Sequence, residues 1–312
     1  MSTVIAIVGP TGVGKSELAQ HLAASLGVGV LSADSMQVYR GMDIGTAKLP
    51  ESKQIVPHFG IDLVDPSRPY SAAQYQSYAR DIIENQPSQQ GRPPVVSGGT
   101  GLYLRAALDD FNFASKPKSL DNARSDYEDL AASIGARALH QLLERRDPQS
   151  ALVIHPNNVR RVVRALDIYD AGGSYADIKA GFKQHKSYYP TLWIALDRDR
   201  TRLYDHINAR VDQMMLAGLL DEVETLLKAG YRNALTAHAA IGYKELVPVL
   251  EDGQNLEDAV ADIKQATRRY AKRQLSWFRS DQRVNWINID NMTLDEQMQR
   301  AFDLLDSEKI EG

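Results

Sequence analysis

Gly9-Pro10-Thr11-Gly12-Val13-Gly14-Lys15-Ser16 decides how the rest of this chain is read. It follows an unbroken apolar run, Val4–Val8, and precedes a segment where Leu18, Leu22 and Leu26 recur at helical spacing before Gly27. Strand, glycine-rich turn and helix in that order give G-x-x-x-x-G-K-[ST] a mechanical meaning. The glycines let successive N–H groups turn toward one point, and the helix brings the positive end of its dipole there. Lys15 adds a point charge, and Ser16 a hydroxyl within reach of Mg²⁺. A phosphate group is therefore expected on Gly9, Thr11, Gly12, Val13, Gly14, Lys15 and Ser16.

Working outward, Val28–Ser32 and Pro93–Ser97 read as further buried strands. The second of them enters Gly98-Gly99-Thr100-Gly101 and a helix from Leu102. Repeated strand–loop–helix units predict an α/β fold, a doubly wound parallel sheet of the P-loop NTPase type. The alternation stops from about Ser115 to Tyr189, where apolar residues such as Leu139, Leu142, Leu143 and Val159, Val162, Val163, Leu166 keep helical spacing. A strand returns at Thr191–Leu196. The expected organisation is a core of residues 1–114 and 191–312 with a helical insertion domain at 115–190. Helices are expected at 203–217, 219–229, 256–271 and after Thr293, with a short last strand at Val284–Ile289.

Composition removes several classes. With no cysteine, the chain has no disulfide, thiolate zinc site, iron–sulfur cluster or Cys nucleophile. No run approaches the ~18 apolar residues of a membrane span, and the first residues lack the basic, apolar pattern of a leader. A soluble cytoplasmic protein with no membrane partner is expected. The net charge of −4 excludes a uniformly cationic coat. Residues 264–283 nonetheless hold seven basic side chains (Lys264, Arg268, Arg269, Lys272, Arg273, Arg279, Arg283) against Asp281 alone. A polarised protein that meets a nucleic acid on one limited face is compatible with that distribution.

One feature separates this chain from an ordinary P-loop hydrolase. Such enzymes usually hold Mg²⁺ with an acid at the end of an apolar strand. Here the strand at 94–97 ends in Ser97-Gly98-Gly99-Thr100, and the nearest acid in kind is Asp34, beyond the second strand. A diphosphate can therefore sit on the loop as a leaving group instead of a phosphoryl donor. By themselves, several of these residues have ordinary structural readings. Asp34 can be an Asx turn or helix cap, Thr100 an N-cap, and Arg210 a surface partner of Asp205 or Asp212. Arg160 and Arg164 can be a solvated helix face, Tyr243 a core residue, and Trp277 and Phe278 helix packing in preference to base stacking. His58 has no second His at ligand spacing, so a structural role is expected for it.

Several longer segments together resemble the tRNA dimethylallyltransferase family, the isopentenyl-tRNA transferases. They are the phosphate loop, Asp34–Lys48 (DSMQVYRGMDIGTAK), Pro57–Asp62 (PHFGID), Gly98–Tyr103 (GGTGLY), Ile241–Glu245 (IGYKE) and Thr267–Gln274 (TRRYAKRQ). The missing Cys/His zinc finger makes the resemblance one to the bacterial form. It implies transfer of a dimethylallyl group from dimethylallyl diphosphate to N6 of adenosine 37, in tRNAs reading codons that start with U. It also implies Asp34 as general base and Thr100 beside the adenine, with the diphosphate on the loop, Arg210 and Mg²⁺ near Ser16. Contacts with the tRNA anticodon stem-loop are implied for Asp34, Ser35, Met36, Gln37, Thr100, Arg160, Arg161, Arg164, Gly242, Tyr243, Lys244, Lys272 and Arg273. No protein partner is implied, and a monomer is expected. The competing readings are a P-loop small-molecule kinase using ATP and a nucleotide-gated RNA-binding switch.

Overall fold

Parallel pairing joins every strand of a six-stranded sheet in the order β3-β2-β4-β1-β5-β6. The strands are β1 (Val4–Val8), β2 (Val30–Ser32), β3 (His58–Phe59), β4 (Val95–Gly98), β5 (Thr191–Asp197) and β6 (Val284–Asn288). This is a computed structural model that describes residues 3–85, 92–111, 120–234 and 236–311. β1 is buried at all five positions, as a strand covered on both faces must be. Its alternation divides the core: Val4, Ala6 and Val8 enter one helical layer, Ile5 and Ile7 the other.

The layers follow from helix patterning. α1 (Lys15–Leu26) gives Leu18 and Leu22 to the Ile5/Ile7 layer, and α13 (Leu294–Glu311) gives Ala301 and Leu305. The opposite layer holds Tyr75 and Ala79 of α2 (Ala72–Asn85), Leu104 and Leu108 of α3 (Gly101–Leu108), and Val223 of α10 (Leu219–Lys228). α9 (Arg200–Leu216) and α12 (Leu256–Arg279) place residues in both, and the short α11 (Val247–Asp252) joins α10 to α12. β2 starts at Val30, two residues later than expected, because the Val28 N–H still closes α1 by bonding Ala23 O at 2.9 Å. α12 runs on to Arg279, past the expected end at Ala271. β3 and α2 were not anticipated: β3 has only two residues, but Tyr75, Ala79 and Ile83 mark one face of α2 at four-residue spacing.

The chain divides into two compact units, residues 1–109 with 187–312, and residues 110–186. The expected boundary at 114/115 lies outside the described residues. The second unit contains α4 (Leu120–Ile134), α5 (Ala136–Arg146), α6 (Pro148–Leu152), α7 (Val159–Asp170) and α8 (Tyr175–Lys183). Its core is Leu139, Leu143, Val162, Val163 and Leu166. Asp147 caps α6 and also accepts from Ser174 Oγ at 2.9 Å on the way into α8. Asn158 caps α7, whose Val162–Leu166 side is buried and whose Arg160, Arg161 and Arg164 are exposed.

Where the first unit hands the chain over, Asp109 is buried between two guanidinium groups. Arg105 bonds it from the preceding turn, and Arg283 reaches it at 2.7 Å while also holding Asp281 at 2.7 Å and Ser187 Oγ at 2.9 Å. Removing one member of a buried ion cluster strands its partners. Asp109→Ala should therefore cost about 3–5 kcal/mol in equilibrium urea unfolding. A loss below about 1 kcal/mol, the scale of an exposed pair, would show that the cluster carries little of the fold.

Candidate active site

β2, β4, β1 and β5 are neighbours in the sheet, so the loops leaving their carboxyl ends meet at one edge, where open α/β sheets place ligands. The chain approaches itself closely there. A Cβ on Gly9 would lie 2.7 Å from Leu196 O, and one on Gly98 would collide with the main chain of Ala33. A cavity of about 260 Å³ opens at this edge. Its lining combines Thr11, Asp34, Arg210 and Tyr270 with the apolar side chains of Ile207, Val211, Met214 and Ile263.

On the phosphate-loop side, Lys15 Nζ donates to Pro10 O at 2.7 Å, and Ser16 is exposed at the start of α1. Burial, reinforced by Arg210, lowers the Lys15 ammonium to about 7, while Asp34 pulls it back up. Burial also lowers Arg210, and Asp34 opposes that shift. Among the described residues Arg210 forms no salt bridge; Asp212, one of its expected alternatives, pairs with Lys264 at 2.5 Å. Two basic side chains thus face a single carboxylate, an arrangement suited to an added anion.

Asp34 and Thr100 are brought together by main-chain bonds. Thr100 occupies the N-cap position of α3 but makes no side-chain cap. Its Oγ1 instead accepts from Ser35 N at 3.0 Å, and its N–H donates to Ala33 O at 3.2 Å. Asp34 does form the Asx turn, with Oδ1 accepting from Met36 N at 2.8 Å. The carboxylate keeps its second oxygen, and the residue lines the cavity beside Ser35 and Met36.

The segment after Asp34 is tied down from below. Lys48, nearly buried, donates to Tyr39 O, Asp43 and Asp62 at 2.5–2.7 Å. Glu222, in the first turn of α10, accepts from the main-chain N–H groups of Asp43, Ile44 and Gly45 at 2.8–3.2 Å and from Tyr243 Oη at 2.6 Å. Gln37, expected at the RNA, commits its amide to the protein: Oε1 accepts from Ser32 Oγ and Nε2 donates to Thr46 O. Tyr243 requires a correction. It is fully buried, with its ring against Gly45 and its hydroxyl on Glu222, so its side chain supports the loop and is not presented to RNA. Gly242 and exposed Lys244, its neighbours, do line the cavity.

α12 supplies what sequence reasoning missed. Tyr270 lines the cavity; burial and Asp34 raise its hydroxyl to about 12, against hydrogen bonds with Thr100 and Gln274. Gln274 itself is buried between the phosphate loop and the Gly99 turn. Four of the seven basic side chains at 264–283 are engaged within the protein. Lys264 is paired with Asp212, Arg268 bonds Asn208 Oδ1 at 2.6 Å, Arg279 pairs with Asp197 at 3.1 Å, and Arg283 belongs to the Asp109 cluster. Arg269, Lys272 and Arg273 remain without a salt bridge among the described residues; all three are exposed, and Arg273 lines the cavity. Phe278 is core, as expected, but Trp277 is 42% exposed beside Lys272 and Arg273, with its indole against Gly101. His58 sits in β3, its pKa lowered by burial, and its Nε2 has no partner among the described residues. No helix of the described residues is long and apolar enough to cross a membrane.

Two family models match the chain, IPP transferase over residues 37–281 and isopentenyl transferase over residues 2–55. A tRNA dimethylallyltransferase of Geobacillus thermodenitrificans is 45% identical over 288 residues, which is 92% of this chain and 90% of the relative. One of Carboxydothermus hydrogenoformans is 44% identical, over 94% of each chain. Among solved structures, the full-length tRNA isopentenylpyrophosphate transferase of Bacillus halodurans is 40% identical and superposes with a TM-score of 0.72, covering 99% of this chain and 98% of that one. A eukaryotic dimethylallyltransferase acting on tRNA is 30% identical, with a TM-score of 0.82 over 97% of this chain and 78% of that one.

The Lys15 shift has a measurable consequence. Burial brings Lys15 down to about 7, and an arriving anion raises its pKa and favours the charged form. Affinity for inorganic diphosphate should fall as pH rises through 7, and binding at pH 8 should draw a proton onto the protein. Calorimetry in two buffers of different ionisation enthalpy measures this. Lys15→Arg, which stays charged, should reduce the uptake while keeping affinity. Equal proton uptake by both proteins would place the titrating group elsewhere.

Proposed function

The chain belongs to the IPP transferase family, and on that premise we propose that it transfers a dimethylallyl group from dimethylallyl diphosphate to N6 of adenosine 37 in tRNAs reading codons that start with U. The observation that carries this reading is the cavity lining, which sets the Asp34 carboxylate, Thr11 of the phosphate loop and Arg210 around one partly apolar space. A kinase reading is not favoured, because β4 ends in Ser97-Gly98 with no acid for a nucleotide-bound metal.

In the proposed step, adenosine 37 leaves its stack and enters the cavity, as bases must to reach a buried reactive group. The N6 lone pair forms a bond to C1 of the dimethylallyl group as the C1–O bond breaks, and that electron pair leaves on the diphosphate. N6 is a weak nucleophile, since its lone pair is delocalised into the ring. Asp34 takes its proton as the C–N bond forms. Thr100 holds the purine edge next to Asp34. The amides of Gly12–Ser16, Lys15 and Arg210 meet the negative charge growing on the leaving group, which is preorganised electrostatic stabilisation. Mg²⁺ fits here as a diphosphate-bound ion: exposed Ser16 offers one hydroxyl, and no group of three His, Cys, Asp or Glu able to hold a metal occurs among the described residues. Bound there, it would add charge neutralisation on the diphosphate, keeping most of its water shell. The tRNA contacts proposed in the first unit are Ser35, Met36, Lys244, Lys272 and Arg273; those proposed in the second are the exposed arginines of α7. The protein works as a cytoplasmic monomer.

The direct test is mass analysis of tRNA incubated with dimethylallyl diphosphate and Mg²⁺. One adenosine should gain a dimethylallyl unit in place of a hydrogen, and ATP should not substitute. ATP turnover on a small acceptor, with the prenyl diphosphate ignored, would overturn the reading. Asp34→Ala should slow transfer ~10²–10⁴-fold with tRNA affinity kept, the scale of a lost general base; a comparable loss of tRNA binding would make Asp34 structural instead. Arg160→Ala combined with Arg164→Ala should weaken tRNA binding and flatten its dependence on salt by roughly two phosphate contacts. An unchanged salt slope would return those arginines to a solvated face.

A further inference from the structure

Gln274 lies on α12, 5% exposed; besides Tyr270 one turn back on the same helix, it has two partners far away in sequence. Its Oε1 accepts from Thr11 N at 2.8 Å, and its Nε2 donates to Gly99 O at 2.9 Å. Both partners are main-chain groups of fixed polarity, so the orientation of the amide follows from them. A carboxylate could satisfy Thr11 but would set oxygen against oxygen at Gly99, and an apolar side chain would satisfy neither. The fit leaves no slack, since a Cβ on Gly99 would fall on Nε2. Thr11 adjoins the glycines that take the diphosphate, and Gly99 adjoins Thr100.

We propose that Gln274 is a positioning residue that fixes the span between the phosphate loop and the Thr100 turn, and hence the distance the prenyl group crosses from oxygen to nitrogen. This rests on the transferase reading above. Neither hydrogen bond touches a substrate, so ground-state binding of each ligand should depend on Gln274 only weakly. The transfer rate should depend on it strongly, because reacting atoms must stand about 3–3.5 Å apart and a shift of about 1 Å can cost ~10²-fold.

Single-turnover transfer is compared in wild type, Gln274→Met and Gln274→Glu, with inorganic diphosphate and tRNA affinities measured beside it. Gln274→Met should lose ~10–10² of the rate with both affinities within about threefold. Gln274→Glu makes the decisive case. Protonated, its carboxyl donates to Gly99 O through O–H and accepts from Thr11 N, reproducing the amide; ionised, it cannot. Burial raises the pKa of such a carboxyl. The ratio of Gln274→Glu to wild-type rate should therefore climb as pH falls, while the Gln274→Met ratio stays flat. A Glu ratio that is level with pH, or equal to one throughout, overturns the proposal, and it decides alone if the Met variant does not fold. A wild-type protein that transfers no prenyl group fails the transferase reading itself, a separate outcome.

Discussion

The turn Gly98-Gly99-Thr100 rests directly on the main chain of Ala33–Ser35, and the rest of the site depends on that contact. Ala33 N–H donates to Ser97 O at 2.8 Å, Thr100 N–H to Ala33 O at 3.2 Å, and Ser35 N–H to Thr100 Oγ1 at 3.0 Å. This ladder continues the parallel register of β2 and β4, in which Ser32 stands opposite Ser97. A side chain at 98 would drive the two segments apart. Asp34 is thereby positioned by backbone geometry, which is stiffer than any side-chain contact could make it. β1 pairs with the other edge of β4, so the phosphate loop arrives beside the same turn without a long connection.

Charge sets the second constraint. Lys15 and Arg210 are both disfavoured as cations by burial, and Asp34 offsets only part of that cost. An anion reverses the balance, so the site is suited to taking one up. Catalysis of a displacement asks for such donors to be in place before charge develops on the leaving group. The acceptor side is stiffened by Lys48 and Glu222, which hold the Asp43–Gly45 segment by its backbone and side chains. Fixing that segment in advance removes an ordering cost from substrate binding.

The parts legible in the sequence are those whose causes are local. The phosphate loop, the strands around it and the helices that follow each carry their pattern within about twenty residues. What escaped depended on partners far along the chain. Gln274 gains its meaning from backbone groups 263 and 175 residues away. Tyr243 looked presentable to RNA until Glu222 and Gly45 claimed it. The run of basic residues at 264–283 suggested a cationic face, yet Asp109, Asp197, Asn208 and Asp212 each take one of them, leaving Arg269, Lys272 and Arg273. Trp277 followed the helical pattern but falls on its open side. β3, at two residues, is too short for periodicity to register, whereas α2 carried a readable stripe in Tyr75, Ala79 and Ile83.

The central claim is that the phosphate loop receives a leaving diphosphate while Asp34 faces the attacking nitrogen across the same cavity. A crystal structure with an anticodon stem-loop and the thiolo analogue of dimethylallyl diphosphate tests it most directly. The diphosphate should lie on the amides of Gly12–Ser16 with Lys15 and Arg210, and C1 should sit between it and an extruded adenine whose N6 is within hydrogen-bond reach of Asp34. A prenyl diphosphate bound away from the loop, or an adenine whose N6 points away from Asp34, would contradict it.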